Sequence, residues 1–334
     1  MTDQTAFALT LHRAAVPDPS VNACWSPFSV ASALALVHEA SRGRTREELG
    51  LLIGGFDGSD ALDVPDLAVA NSLWADAGLP LDPAFSLTAS VRRADFAESG
   101  TVRELINADV AEATRGLVPA LLPPPSTPYS GAVVVNALYL RTGWETAFPA
   151  SRTTPRPFHA PGGDVEVPTM TVTAELGYAR TGGWQTVVLP AKSGVEVLVL
   201  LPDGPLDQPH PAAFDVPGST AVALSLPKVD VREKFELREA LEQVGVGTMF
   251  SPDADLSGLS PKPLFVSEVV HEAVLRLDEQ GLEGAAATAV MKSRGARPRK
   301  PAHPVVVLVD RPFLLAVRHA RSKAVYFLAQ VARP

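Results

Sequence analysis

The sequence predicts an α+β fold, and three observations carry that expectation. Helical patterns gather in about the first fifty residues, while β-branched runs of strand length crowd the chain from about residue 131 onward. The two kinds of segment do not alternate as βαβ units. No Pro- or Ser-rich linker divides the 334 residues and no internal repeat appears, so a single domain covering 1–334 is expected.

Taken in order, Asp3 to Arg13 reads as an amphipathic helix through Ala6, Phe7, Leu9 and Leu11. "SPFSVASALALVHEAS" (Ser26 to Ser41) reads as a mostly buried helix, with Ser26 as N-cap and Pro27 at the first helical position. "GRTREELGLLI" gives a third helix, in which Thr45 and Glu48 stand at capping-box spacing. The strand candidates are "GAVVVNALYL", "WQTVVLP", "VEVLVLLP", "TAVALSLPKVDV", "PLFVSEVVHEAVLRL", "PVVVLV", "FLLAVRH" and "AVYFLAQVA", separated by Pro, Gly and Asp. Between them "EKFELREALEQVGV" predicts one more helix, with Phe235, Leu237, Leu241 and Val244 on one face.

Composition narrows the function. A formal net charge of -8 argues against a general nucleic-acid or anionic-membrane binder, since both surfaces attract basic proteins. The single cysteine, Cys24, excludes an intramolecular disulfide framework, and its apolar neighbours predict a packing role. The N-terminus lacks a basic stretch followed by an apolar core, so a cytoplasmic protein without a secretory signal is expected. Runs such as "VEVLVLLP" fall short of the ~20 residues needed to span a bilayer as a helix.

Catalytic motifs are absent: there is no G-x-S-x-G elbow, no Walker loop and no H-E-x-x-H helix. "HEAVL" begins like the zinc motif but carries Leu275 where the second histidine would stand. The seven histidines show no ligand spacing, so neither an enzyme nor a metal or cofactor site is expected.

Several stretches together resemble the serpins, the family of serine-protease inhibitors. They are "NACWSPFSVASALALVHEASRGRTREEL", "IN" at Ile106 and Asn107, "NALYLRTGWETAFPASRTTPRPF", "LSLPKVDV", "DADLSGLS", "VSEVVHEAVLRLDEQG" and "RPFLLAVRHARSKAVYFLAQVARP", in the family's order over nearly the whole chain. The resemblance implies three β-sheets with about eight helices and an exposed reactive-centre loop near the C-terminus, here about residues 279–304. It further implies a monomeric suicide substrate of a serine protease, which inserts its cleaved loop into the central sheet; a non-inhibitory binding or chaperone-like serpin is the alternative. The short segment from Gly54 to Ala70 leaves little room for the heparin-binding helix of some members, so glycosaminoglycan activation is not expected.

Residue by residue, the resemblance implies a hinge at Glu279, Gly281, Leu282, Glu283, Gly284, Ala285, Ala286, Ala287 and Thr288. Ser26, Ser29, Asn136 and His271 match the polar group beneath the opening of the sheet, and Trp144 matches the aromatic where insertion starts. The sequence departs from the family at Leu282, usually a small hydroxyl residue, and at Gly284, usually alanine. The basic tip "MKSRGARPRK" implies a trypsin-like or subtilisin-like target, with Arg294–Gly295 as the reactive bond. Lys292–Ser293 and Arg299–Lys300 stand behind it, while Arg297 is followed by Pro298, which resists cleavage.

Overall fold

A computed structural model describes residues 4–54, 56, 58, 61, 63–82, 85, 91–122, 132–282 and 303–334. Among these residues are five α-helices: α1 (Gln4–Ala15), α2 (Pro27–Ala40), α3 (Gly43–Ile53), α4 (Ser99–Ala113) and α5 (Arg238–Gln243). The strands are β1 (Ala23–Trp25), β2 (Leu67–Asp76), β3 (Val91–Ala94), β4 (Ala132–Leu140), β5 (Thr142–Gly143), β6 (Thr154–Ala160), β7 (Gly163–Thr181) and β8 (Trp184–Pro190). They continue with β9 (Val195–Pro202), β10 (Ser219–Pro227), β11 (Val229–Glu236), β12 (Val266–Leu277), β13 (Gly281–Leu282), β14 (Val305–Leu308), β15 (Phe313–His319) and β16 (Val325–Val331).

The central sheet runs β3-β2-β4-β12-β13-β5, with β11 also paired to β12. The other strands form one continuous assembly, β1-β16-β15-β9-β8-β7-β10-β14, with β6 on β7. The described strands form two sheets where three were expected, because β7 runs for 19 residues and pairs with β6, then β10, then β8 along its length, joining them in one assembly.

Three apolar clusters hold this arrangement. One lies where the two sheet assemblies meet and includes Leu138, Trp144, Phe148, Leu277 and Leu282. A second packs α1, α2 and α3 against the strand ends through Trp25, Leu34, Leu49 and Phe214. The third sets Val102, Ile106 and Val110 of α4 over Val133 and Val135 of β4 and Val270 and Val274 of β12. Helix α4 therefore lies on this face of the sheet, chiefly over β4 and β2, and all nine residues of β4 are buried.

Local physics follows the sequence at α2, where Ser26 caps the helix by accepting from Ser29 N at 3.1 Å with Pro27 at its start. Two expectations fail. Helix α3 is capped at Arg42 and contains Thr45, so there is no capping box: Thr45 Oγ1 accepts from Asp255 N, and Glu48 reaches away to the backbone N–H groups of Gly247 and Thr248. The helix expected across "EKFELREALEQVGV" is confined to Arg238–Gln243. Its first residues belong to β11, where backbone pairing with β12 outweighs a short helical pattern.

Cys24 is fully buried, as expected. No α-helix is described between Ile53 and Leu67. No helix among the described residues is long and apolar enough to cross a membrane, and none of their His, Cys, Asp and Glu side chains group as metal ligands.

Candidate functional site

The seam between β4 and β12 is two different structures along its length. In its lower part the strands pair directly and in parallel, from Val266 opposite Ala132 to Glu272 opposite Ala137. Above that point the space is occupied by β13. Leu282 pairs with Leu277 of β12 on one side and Thr142 of β5 on the other, and Gly281 pairs with Gly143. The end of β12, a tight turn and β13 thus form a hairpin wedged into the top of the sheet.

The turn is set by Asp278. Its Oδ1 accepts from Gln280 N at 2.8 Å and Gly281 N at 3.2 Å, and its own N–H donates to Gly281 O at 3.0 Å. Gly281 has φ +152°, and a Cβ there would overlap the Thr142 carbonyl oxygen and the Gly143 Cα, so only glycine seats the hairpin without strain. Gly143 opposite is less tightly constrained: a Cβ would stand 3.3 Å from Gln280 O.

Trp144 anchors the turn twice, its backbone N–H donating to Gln280 O at 3.0 Å and its indole to Asp278 O at 2.8 Å. Phe148 packs edge-on against Trp144 and donates its backbone N–H to Glu279 O at 3.1 Å. The Glu279 carboxylate accepts from Thr153 Oγ1 at 2.7 Å and pairs with Lys228 Nζ at 2.8 Å. Burial pushes its pKa up, but the bonds from Lys228 and Thr153 outweigh this and hold it below the ordinary value. Leu282 is 1% exposed, so the side chain that departs from the family pattern already lies in the core.

Lower on the seam the predicted polar group is assembled by strand register. Asn71, Asn136 and His271 stand side by side on β2, β4 and β12. Ser26 N donates to His271 Nε2 at 2.9 Å, which makes Nε2 the acceptor and places the proton on Nδ1, 2.6 Å from Asn136 Oδ1. The two protons of Asn136 Nδ2 are then shared among Ser29 O at 2.8 Å, Ser29 Oγ at 2.5 Å and Asn71 Oδ1. Burial drives the His271 pKa down to about 3, so the ring is neutral and the network uncharged.

The structure therefore brings together Ser26, Ser29, Asn136 and His271, and at the top of the seam Trp144, Glu279, Gly281 and Leu282. Sequence reasoning missed Asn71, Asp278 and the Lys228 partner of Glu279. The apolar run "LAVANSLWAD" could have flagged Asn71 as a polar residue within a strand. Glu283, Gly284, Ala285, Ala286, Ala287 and Thr288 lie outside the described residues, as do Lys292, Ser293, Arg294, Gly295, Arg297 and Arg299.

The family model described as "Serpin (serine protease inhibitor)" matches residues 2–334. Serpin A3-5 of Bos taurus is 32% identical over all of this chain and 89% of its own length. Iripin-8 of Ixodes ricinus is 30% identical over 97% of this chain and 91% of its own. Among solved structures, the thermophilic serpin tengpin in its native state superposes with a TM-score of 0.85 at 23% identity, over 99% of this chain and 93% of that one. Serpin48 of Tenebrio molitor gives 0.84 at 22% identity, over 99% and 97%. A match across the full chain, relatives above 30% identity and a shared fold establish that this protein belongs to the serpin family, whose members are in general protease inhibitors and not enzymes.

Proposed function

We propose that the protein is a suicide-substrate inhibitor of a trypsin-like serine protease that traps its target by inserting the cleaved loop between β4 and β12. The observation that supports this reading is the seam itself, paired below Glu272 and wedged open above it by β13. The protease serine oxygen attacks the Arg294 carbonyl carbon, the bond to the Gly295 nitrogen breaks, and that nitrogen leaves as an amine after taking up a proton. The loop up to Arg294 stays covalently attached to the protease as an acyl ester.

Insertion then continues the hairpin already present. Extending the Leu282–Leu277 register down β12 puts Gly284 opposite Leu275, Ala286 opposite Ala273 and Thr288 opposite His271. Extending the Leu282–Thr142 register past β5 into β4 puts Thr288 opposite Asn136. The two registers agree because His271 and Asn136 are already partners, so Thr288 arrives between them and replaces their direct bond.

Strand alternation sets Leu282, Gly284, Ala286, Thr288 and Val290 on the face of Leu275 and Ala273, with no charge among them. Residues 283 to 291 of the other parity would face the side of the sheet on which α4 lies, where Ala285, Ala287 and Ala289 are small. About a dozen residues gain two ladders of hydrogen bonds at ~0.5–1.5 kcal/mol each and bury side chains besides, so the gain is on the order of 10 kcal/mol. That is as large as the stability of a whole domain, which makes the uninserted chain metastable. The travel, ~40 Å at ~3.3 Å per residue, carries the protease along the length of the sheet.

Mixing the protein with trypsin and separating the products under denaturing conditions tests the reading. A band at the summed mass, with mass spectrometry placing the new C-terminus at Arg294, is the expected result. Clean cleavage without that band would point to a non-inhibitory serpin, and no cleavage between Lys292 and Arg299 would remove the loop assignment.

A further inference from the structure

The wedge at the top of the seam ends one register step short of a charged position. Leu282, the last described residue before the loop, pairs with Leu277 of β12 and with Thr142 of β5. One step further along the same two antiparallel ladders, position 283 falls opposite Arg276 on β12 and opposite Arg141, which joins β4 to β5. Directly opposed residues of paired strands share a face, so the two guanidinium groups and the side chain at 283 belong together. That face is the one bearing α4, since Val274 lies two residues before Arg276 and Val135 and Ala137 have the parity of Arg141.

The two arginines differ in what already holds them. Arg276 Nε stands 3.2 Å from Asp230 Oδ1, in a pair whose side chains are 51% and 67% exposed. Arg141 is half-buried, donates its backbone N–H to Asp66 O at 3.2 Å, and forms no ion pair with a described carboxylate. The Asp66 carboxylate is taken by Arg115 at 2.9 Å, whose guanidinium also lies over the Tyr139 ring. Arg115, Arg141 and Arg276 thus face only Asp66 and Asp230, and one positive charge is left over at the head of the seam.

The loop sequence matches that profile. On this face its alternation reads Glu283, Ala285, Ala287, Ala289. Ala285 falls opposite Val274 and Tyr139, and Ala287 opposite Glu272 and Ala137, all buried, so a charge at either place would lose its water without gaining a free partner. Among these positions only 283 offers both water and two cations. From the agreement of the two registers and the uncompensated charge, we infer that Arg141 and Arg276 form a carboxylate-receiving site, which Glu283 fills as the strand grows. The first residue to insert is thereby tied to both walls of the seam, and Glu283 acts as a positioning residue for the strand behind it. The inference rests on the insertion reading and adds an electrostatic catch to it.

Trypsin is mixed with the full-length protein, and the ratio of covalent complex to cleaved product is measured for each variant. Glu283→Gln should lower the ratio about fivefold and Glu283→Arg about twentyfold, as expected for losing and then reversing two cross-strand charge pairs. Combining Glu283→Arg with Arg141→Glu should recover at least about threefold over Glu283→Arg alone, which a merely structural role for either residue would not do. Arg276→Glu serves as a second reversal partner, and an unchanged melting temperature of the uncut variants shows that each folds. Raising the salt concentration should bring the wild-type ratio down toward that of Glu283→Gln, because screening acts only where the pairs exist. A wild type that gives cleaved product alone would overturn the insertion reading and this inference with it. A wild type that forms the complex with a ratio indifferent to Glu283→Gln and Glu283→Arg, or without recovery in either paired reversal, would overturn this inference alone.

Discussion

The lower and upper parts of the β4–β12 seam are the same two strands held in two ways. Below, contact is direct and locked by the uncharged chain from Ser26 through His271 and Asn136 to Ser29, all fully buried, and on to half-buried Asn71. Above, a hairpin sits between the strands, fixed by backbone bonds from Trp144 and Phe148 and by a part-exposed ion pair at Glu279. The lower lock is strong because every donor in it faces a partner and an unpaired one would have no water. The upper wedge is a strand already begun, and its next residues are the ones that would have to break the lock.

The largest effect that could break this comparison comes from the loop itself. Thr288→Arg would drive a charge between Asn136 and His271, and burying an unpaired charge is far more costly than the ladder gain per residue. The expected outcome in a trypsin assay is cleavage at the normal rate with the covalent complex reduced at least ~100-fold, since ~3 kcal/mol in the partition between insertion and hydrolysis corresponds to that ratio. Next in size is the lock: Asn136→Ala leaves His271 and Ser29 groups buried without partners, and a loss of ~2–4 kcal/mol in denaturant unfolding is expected.

Third, Gly281→Ala should unseat the hairpin at a cost of ~1–3 kcal/mol. Faster amide exchange at Leu282 and Trp144, with the Asn136 region unchanged, would show that the two parts of the seam are separable.

Acid gives a further separation. His271 has a folded pKa of about 3 against an ordinary 6.5, so the unfolded chain takes up the proton first. Its contribution is complete above pH 6.5 and is lost as pH falls from there toward 3, at up to ~1.4 kcal/mol per pH unit. His12, held at about 4, acts with the same sign. Melting temperature should therefore fall with pH below 6.5, and His271→Gln should flatten part of that slope. Smallest of all, Lys228→Ala removes a partner that is 39% exposed, for an expected ~1 kcal/mol or less.

What the sequence made legible was whatever depends on local pattern or on spacing. Ser26 and Pro27 announce α2, the apolar runs announce β4, β8, β9, β15 and β16, and the ordered motifs place Ser29, Asn136, His271, Trp144 and Gly281 at the seam. What stayed hidden depends on tertiary partners. Glu48 looked like a capping residue because its true partners, Gly247 and Thr248, lie about two hundred residues away. Phe235 looked helical because its spacing from Leu237 and Leu241 says nothing of β12 beside it. The direct pairing of β4 with β12, which the proposed insertion would have to undo, is a fact of register and not of composition.

The melting temperature of the protein before and after loop cleavage tests most directly whether the seam receives the loop. A gain on the order of 10 kcal/mol in a chain of this size corresponds to a rise of roughly 10 °C, and insertion predicts that rise together with protection of the β4 and β12 amides. A cleaved protein that melts at or below its original temperature, as a domain with an ordinary nicked loop would, contradicts it.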